Sequence, residues 1–301
     1  MSLVGVLMAN DAANVTILGG LREFRARLQE LGWSEDQNLR LDVHWNLAAN
    51  PEAATAAAED LTRHGAKVIV TASTVVTQAA RRATAVVPIV TTAASDPVGS
   101  HLVASLAHPG GNVTGFANFE FSMGAKWLEL LKELEPRINR VLVLASPGND
   151  GNRGLLESLV DAARQRSVAV STADKDDAAK LDAAFKAFGG EPDGGVIVLP
   201  NPRSDALAIT LREAATYRLP AIYPQIENAQ AGGLMSYGID VPALYRAAAG
   251  YVDRILRSEK PGDLPVQSPT KFELTINLKT AKAIGVVVPQ SLLVRADQVI
   301  E

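Results

Sequence analysis

The residues able to do chemistry are small and polar, and they recur just after short apolar runs. Asn10 and Asp11, Ser73 and Thr74, Ser95 and Asp96, Ser146 and Asn149, Asn201, and Tyr223 all hold such positions. Hydroxyl, carboxamide and phenol groups donate and accept hydrogen bonds, which suits ligand recognition, but reaction chemistry asks for more. The segment "VIVTASTVVTQAARR" (68–82) poses the question most sharply: an apolar run stops at Thr71, Ala72, Ser73 and Thr74, and a helix-like segment begins at once. Ser73 there reads as a helix cap, a nucleophile, or one wall of a ligand cradle.

A nucleophile needs a base within hydrogen-bond reach. The four histidines, His44, His64, His101 and His108, are dispersed, and only His101 follows a serine, at the start of an apolar segment where capping or surface roles dominate. There is no G-x-S-x-G elbow and no His/Asp/Glu spacing suited to a metal. The chain has no cysteine, which removes thiolate nucleophiles, disulfides and cysteine-ligated metals. Dinucleotide binding fails as well. "MANDAANVTILGG" lacks G-x-G-x-x-G, and "SPGNDGNRG" sets Gly148, Gly151 and Gly154 three apart, which fits neither that fingerprint nor a P-loop. That second loop reads either as a well-capped turn or as a ligand loop presenting Ser146 and Asn149. The expectation is binding without catalysis, with no catalytic residue, no metal and no cofactor.

The elements that must position these residues alternate. Apolar runs at 4–8, 39–45, 68–70, 88–92, 113–116, 140–145, 168–172, 195–199, 221–223 and 233–237 read as strands. Segments of helical period at 17–31, 51–64, 75–83, 123–134, 152–166, 178–188, 205–217 and 242–257 lie between them. Most strands are continuously apolar, the mark of parallel strands covered on both faces, and strand–helix alternation implies doubly wound α/β units. The plan restarts near Arg140, where strand, small-residue loop and long amphipathic helix repeat the order seen from Val4. Two similar α/β lobes follow, with a boundary near Ala117. In open sheets of this kind ligands bind at the strand carboxyl ends, where helix N-termini suit a carboxylate. The proline-rich segment after Arg257 breaks the alternation, with a strand expected at 272–277 and short helices at 278–284 and 289–296.

Composition bounds the rest. With 301 residues, two domains are the prior. A net charge of −4 with scattered basic residues argues against nucleic acid or an anionic membrane as partner. No apolar run approaches the roughly 18 residues that span a bilayer.

The C-terminal region is more specific. Tyr237-Gly238, Tyr245-Arg246, the run Tyr251 to Leu256, "KPGDLPVQSPTKFEL", "INLKTAKAIG" and "ADQVIE", together with "GLREFRARLQELGW" and "ASDPVGSHLVASLAHPGGNVTGF" upstream, resemble the ABC-transporter substrate-binding protein family that includes tryptophan- and other aromatic amino-acid-binding members. The resemblance covers essentially the whole chain. It implies a type I periplasmic-binding-protein fold: two Rossmann-like lobes, 1–116 with about 238–271 and 117–237 with about 272–301, joined by three crossover segments and closing on a small molecule. It implies a periplasmic or cell-envelope location, with a leader ahead of Met1 expected to be removed. An ABC permease is the implied partner and a monomer the implied state.

On that model the ligand is an amino acid, aromatic ones first, or a related carboxylate. Ser73 and Thr74 with the following helix N-terminus are expected to take its carboxylate, and Asp96 its amino group. Asn149 and Asn201, beside Ser146, are expected to complete the polar contacts from the second lobe, as Asn10 and Ser95 do from the first. Tyr223, Tyr237 and Phe119 are the candidates for stacking on its side chain. The rival readings are the sensory domain of a regulator and, with Ser73 or Asp96 catalytic, an enzyme on the same plan.

Overall fold

The computed structural model describes residues 1–35, 37–147, 150–200 and 206–301, without the side chains of Val15 and Asp150. Asn149 and Asn201 lie outside the described residues. The chain divides into two compact units, Met1–Phe119 with Asp240–Lys271 and Glu120–Ile239 with Phe272–Glu301. It therefore passes from one to the other three times, after Phe119, Ile239 and Lys271.

The first unit takes β1 (Ser2–Met8), α1 (Val15–Glu30), β2 (Leu39–His44), α2 (Pro51–Arg63), β3 (Val68–Ala72), α3 (Thr74–Ala83), β4 (Ile89–Ala94) and β5 (Val113–Ala117). The second takes α4 (Met123–Leu134), β6 (Arg140–Ala145), α5 (Asp150–Gln165), β7 (Ala169–Asp174), α6 (Ala178–Phe188), β8 (Gly194–Val198), α7 (Ala206–Thr216), β9 (Ala221–Tyr223), α8 (Ile226–Gln230) and β10 (Met235–Ile239). Helix α9 (Val241–Leu256) returns to the first unit. The second ends with β11 (Phe272–Asn277), α10 (Leu278–Ile284), α11 (Gln290–Arg295) and β12 (Gln298–Ile300). The sequence pattern anticipates these elements except α8 and β12.

In the first unit the strands run β2-β1-β3-β4-β5, with every neighbouring pair parallel. In the second the order is β12-β11-β10-β9-β8-β6-β7, and only β10 and β11 pair antiparallel. Each sheet reverses direction once: the chain goes from β1 to β2 on one side and crosses to β3 on the other, and from β6 to β7 and then across to β8. Those two reversals, β1/β3 and β6/β8, are the topological switch points of doubly wound sheets.

The strands form because their residues are apolar on both faces. All five residues of β3 are buried, and Val141 to Leu144 of β6 are at most 2% exposed. Helices cover both sheets and start on side-chain caps that satisfy their free N–H groups. Asn14 accepts from the Ile17 N–H, Asn50 from Ala53, Asp177 from Ala179 and Lys180, Asp240 from Ala243, and Asn277 from Thr280. Gly115 in β5 is obligatory: it has φ 130°, and a Cβ there would sit 2.1 Å from the Thr91 carbonyl oxygen of β4. The core of the second unit contains Trp127, fully buried, whose indole N–H donates to the Tyr237 carbonyl at 2.7 Å.

Candidate functional site

The first unit brings Asn10 and Ser73 to adjacent strand ends across the β1/β3 switch point. Asn10 is half-buried, and its carbonyl accepts the Asn46 N–H at 2.9 Å. Ser73 caps α3, its Oγ accepting the Val76 N–H at 3.3 Å. It does so at φ 133° and ψ 158°, a region that L-residues enter only under constraint. Part of that constraint is Thr77, whose backbone N–H and hydroxyl both donate to the Ser73 carbonyl, at 3.0 and 2.7 Å. With its single proton spent there, Thr77 accepts from the Thr71 hydroxyl 2.7 Å away.

Two hydroxyls at this strand end are spent within the unit. Thr71 is fully buried and turned into this network, its hydroxyl bonded to that of Thr77, which itself lies 3.2 Å from the Thr91 hydroxyl. Thr74 is a strut between strand ends: its Oγ1 accepts the Ser95 N–H at 2.9 Å and donates to the Ser95 carbonyl at 3.1 Å. The Thr74 hydroxyl has no proton left for a ligand carboxylate. Of the three, Ser73 alone keeps a hydroxyl proton that none of these bonds consumes.

Ser95 and Asp96 follow β4. Ser95 Oγ donates to the Asn118 carboxamide oxygen at 3.1 Å, and Asp96 closes a turn by accepting the Gly99 N–H at 2.8 Å. Asp96 is half-buried at φ 45°. Phe119 is half-buried at the end of the unit's first segment.

In the second unit Ser146 follows β6 and is 3% exposed. Its N–H donates to Asn152 Oδ1 at 3.0 Å and its hydroxyl to Asp176 Oδ1 at 3.0 Å. Asn152, in the first turns of α5, also donates from Nδ2 to the Pro200 carbonyl at 2.9 Å. A single buried carboxamide thus ties the end of β6 to the end of β8 across the switch point. Lys175 follows β7 and is 6% exposed; its N–H donates to the Ala145 carbonyl at 3.0 Å, and its ammonium donates to the Leu199 carbonyl. Burial pushes the Lys175 ammonium down to about 8, against a smaller opposing pull from Asp176. After β9, Glu227 is half-buried in the first turn of α8, and burial pushes its carboxyl up.

Asn152, Lys175 and Glu227 were not expected from sequence. The signal for Asn152 was its place beside the glycine loop after β6. Lys175 sits in a run of charged residues that reads as solvated surface.

The aromatic candidates separate. Tyr223 is 1% exposed in a core cluster with Leu142, Phe185 and Leu219, and its ring fills the space over Gly233. Burial raises its phenol, and the ring has no open face for a ligand. Tyr237 lies within β10, half-buried and stacked on Phe272 with ring centroids 5.7 Å apart. The described residues hold no group of His, Asp and Glu suited to a metal ion, and no helix among them is long and apolar enough to cross a membrane.

Comparison with known proteins agrees with a binding site rather than a catalytic one. A tyrosine-binding protein of Clostridioides difficile (strain R20291) is 28% identical over 87% of this chain and 75% of its own length. A conserved domain protein from Vibrio cholerae is 27% identical with a TM-score of 0.88, covering 99% of both chains. An ABC domain from Streptococcus pneumoniae, solved in complex with L-Trp, is 24% identical with the same TM-score and the same coverage. The two doubly wound units are those of a type I periplasmic-binding-protein fold, and two of these relatives are described by the amino acid they bind. The family model for ABC transporter substrate binding proteins matches residues 4–300, and the chain belongs to that family.

Proposed function

We propose that the chain is the extracytoplasmic receptor of an ABC importer, and that its solute is a free amino acid, aromatic ones first. The observation that carries this reading is the polar equipment of the two switch points. Asn10 and Ser73 stand at β1/β3, and Ser146, Asn152 and Lys175 at β6/β8. Switch points are where open α/β sheets take ligands, and hydroxyl, carboxamide and ammonium groups match the polar half of an amino acid.

Ser73 with the α3 N-terminus, Asp96 and Glu227 are the proposed polar contacts, and Phe119 and Tyr237 the proposed apolar ones. The two units correspond in this reading to the two lobes of the receptor, its cell location is the periplasm or envelope, and its partner is the membrane permease. The name of the 28% identical relative supports tyrosine as the first ligand to try.

Thermal-shift screening of the twenty amino acids, followed by calorimetry on the hits, tests this. A micromolar or tighter Kd for L-tyrosine or L-tryptophan is the expected result. A flat screen across all amino acids would sink the ligand class.

A further inference from the structure

We propose that the Lys175 ammonium is the counter-charge for the carboxylate of the bound amino acid, at the carboxyl end of β6. This rests on the function proposed above and names the group of that ligand which the second unit reads.

The sheet order places it. β6 lies between β7 and β8. Lys175 leaves the end of β7, bonds the end of β6 through its backbone, and reaches the end of β8 with its ammonium. The charge therefore sits over the end of β6, at the switch point, where a helix-covered sheet takes its ligand. Lys175 is 6% exposed, and among the described residues a single carbonyl receives one of its three N–H donors.

Among the described residues the charge has no full counter-ion. Asp176, the next residue, is among the described residues the one carboxylate that pulls on it, and that carboxylate already accepts the Ser146 hydroxyl. Asp174 and Asp177 are paired with Lys180 of α6. Arg153 of α5 is exposed, and the described residues at the ends of β6 and β8 are Ser146, Pro147, Leu199 and Pro200, none of them charged. A buried cation without a counter-ion is costly, and here burial outweighs Asp176 and brings the ammonium down to about 8. An arriving carboxylate would supply the missing charge and restore its hold on the proton. The α3 N-terminus in the first unit offers only partial charge, so the two claims on the carboxylate can be told apart.

The test needs no variant at first. Calorimetry of L-tyrosine binding in two buffers of different ionisation enthalpy reports protons taken up on binding. Uptake should rise from close to none at pH 6.5 to about three-quarters of a proton at pH 8.5, with affinity weakening about fourfold over that range. Tyramine, which lacks the carboxylate, should bind far more weakly and take up no proton through this group. Lys175→Met should abolish the uptake and weaken L-tyrosine binding more than tenfold at pH 6.5. Binding with no proton uptake, or tyramine binding as tightly as L-tyrosine, overturns the assignment and leaves the amino-acid receptor standing. Failure of every amino acid to bind overturns both.

Discussion

Asp240 and Lys271 are joined twice, side chain to side chain and backbone to backbone. Lys271 Nζ donates to Asp240 Oδ2 at 2.5 Å, while the Asp240 N–H donates to the Lys271 carbonyl at 3.3 Å. These are the residues at which the chain re-enters and leaves the first unit, and the ladder of β10 and β11 brings Ile239 opposite Phe272 immediately beforehand. Two of the three passages thus travel as a bonded pair.

Asp240 has a second task, capping α9 through the Ala243 N–H at 2.9 Å. Asp240→Ala removes cap and ion pair and should cost about 1–2 kcal/mol. Asp240→Asn keeps the cap and loses the charge, and should cost less than about 1 kcal/mol because the Lys271 side chain is 63% exposed. Urea denaturation of the two variants separates the contributions. Equal losses would mean that the pair, and not the cap, dominates. Salt should shrink the Asn variant's deficit and leave the Ala variant's cap loss in place.

Ser73 combines a strained backbone with a cap. Glycine relieves a positive φ and weakens a cap by only a few tenths of a kcal/mol, whereas alanine keeps the strain and loses the cap. Ser73→Gly is therefore expected to match or exceed the parent in stability, and Ser73→Ala to lose about 1 kcal/mol. Ligand affinity should fall in both. Unchanged affinity in the glycine variant would remove the Ser73 hydroxyl from the site.

Asn152 holds two strand ends from a buried position. Asn152→Ala deprives the Ser146 N–H of its acceptor and the Pro200 carbonyl of this donor, and is expected to cost about 2–4 kcal/mol. Asn152→Asp keeps the acceptor, loses the donor and should fall between. Hydrogen exchange at the Ser146 amide checks the mechanism, since its protection should drop in the alanine variant and persist in the aspartate one.

The architecture was legible because strands buried on both faces are apolar throughout, and runs such as "VLVLA" and "VIV" announce themselves. Helix α8 and strand β12, five and three residues long, are too short for any period to register. The site was legible by place and not by role. Ser73, Ser95 and Ser146 stand at strand ends as expected, but whether a hydroxyl is free depends on partners far along the chain. Thr74 is spent on Ser95, 21 residues away, and Asn152 on Pro200, 48 away. Lys175 was hidden for the opposite reason: flanked by Asp174, Asp176 and Asp177, it has the local sequence of a solvated loop, and only the stacking order of β7, β6 and β8 buries it.

That burial has a stability signature of its own. The Lys175 ammonium falls from 10.5 to about 8 on folding, so between those values the unfolded chain holds more protons than the folded one. Stability therefore rises with pH through that window, and below pH 8 the full cost is present, about 3 kcal/mol by linkage. Lys175→Met keeps an unbranched side chain, one atom shorter, without the charge. It should raise the unfolding free energy at pH 7 by about 1–3 kcal/mol, the lower end allowing for the Leu199 carbonyl left without its donor. The advantage should shrink as pH approaches 10, above which the buried tyrosines Tyr223 and Tyr245, both pushed up by burial, begin to oppose further gain. Urea denaturation of parent and variant at pH 7, 8.5 and 9.5 reads this directly. A difference that stays constant across the three would show that Lys175 carries the same charge in the folded and unfolded chain. A variant less stable than the parent at pH 7 would show that the hydrogen bond to Leu199 outweighs the cost of burying the charge.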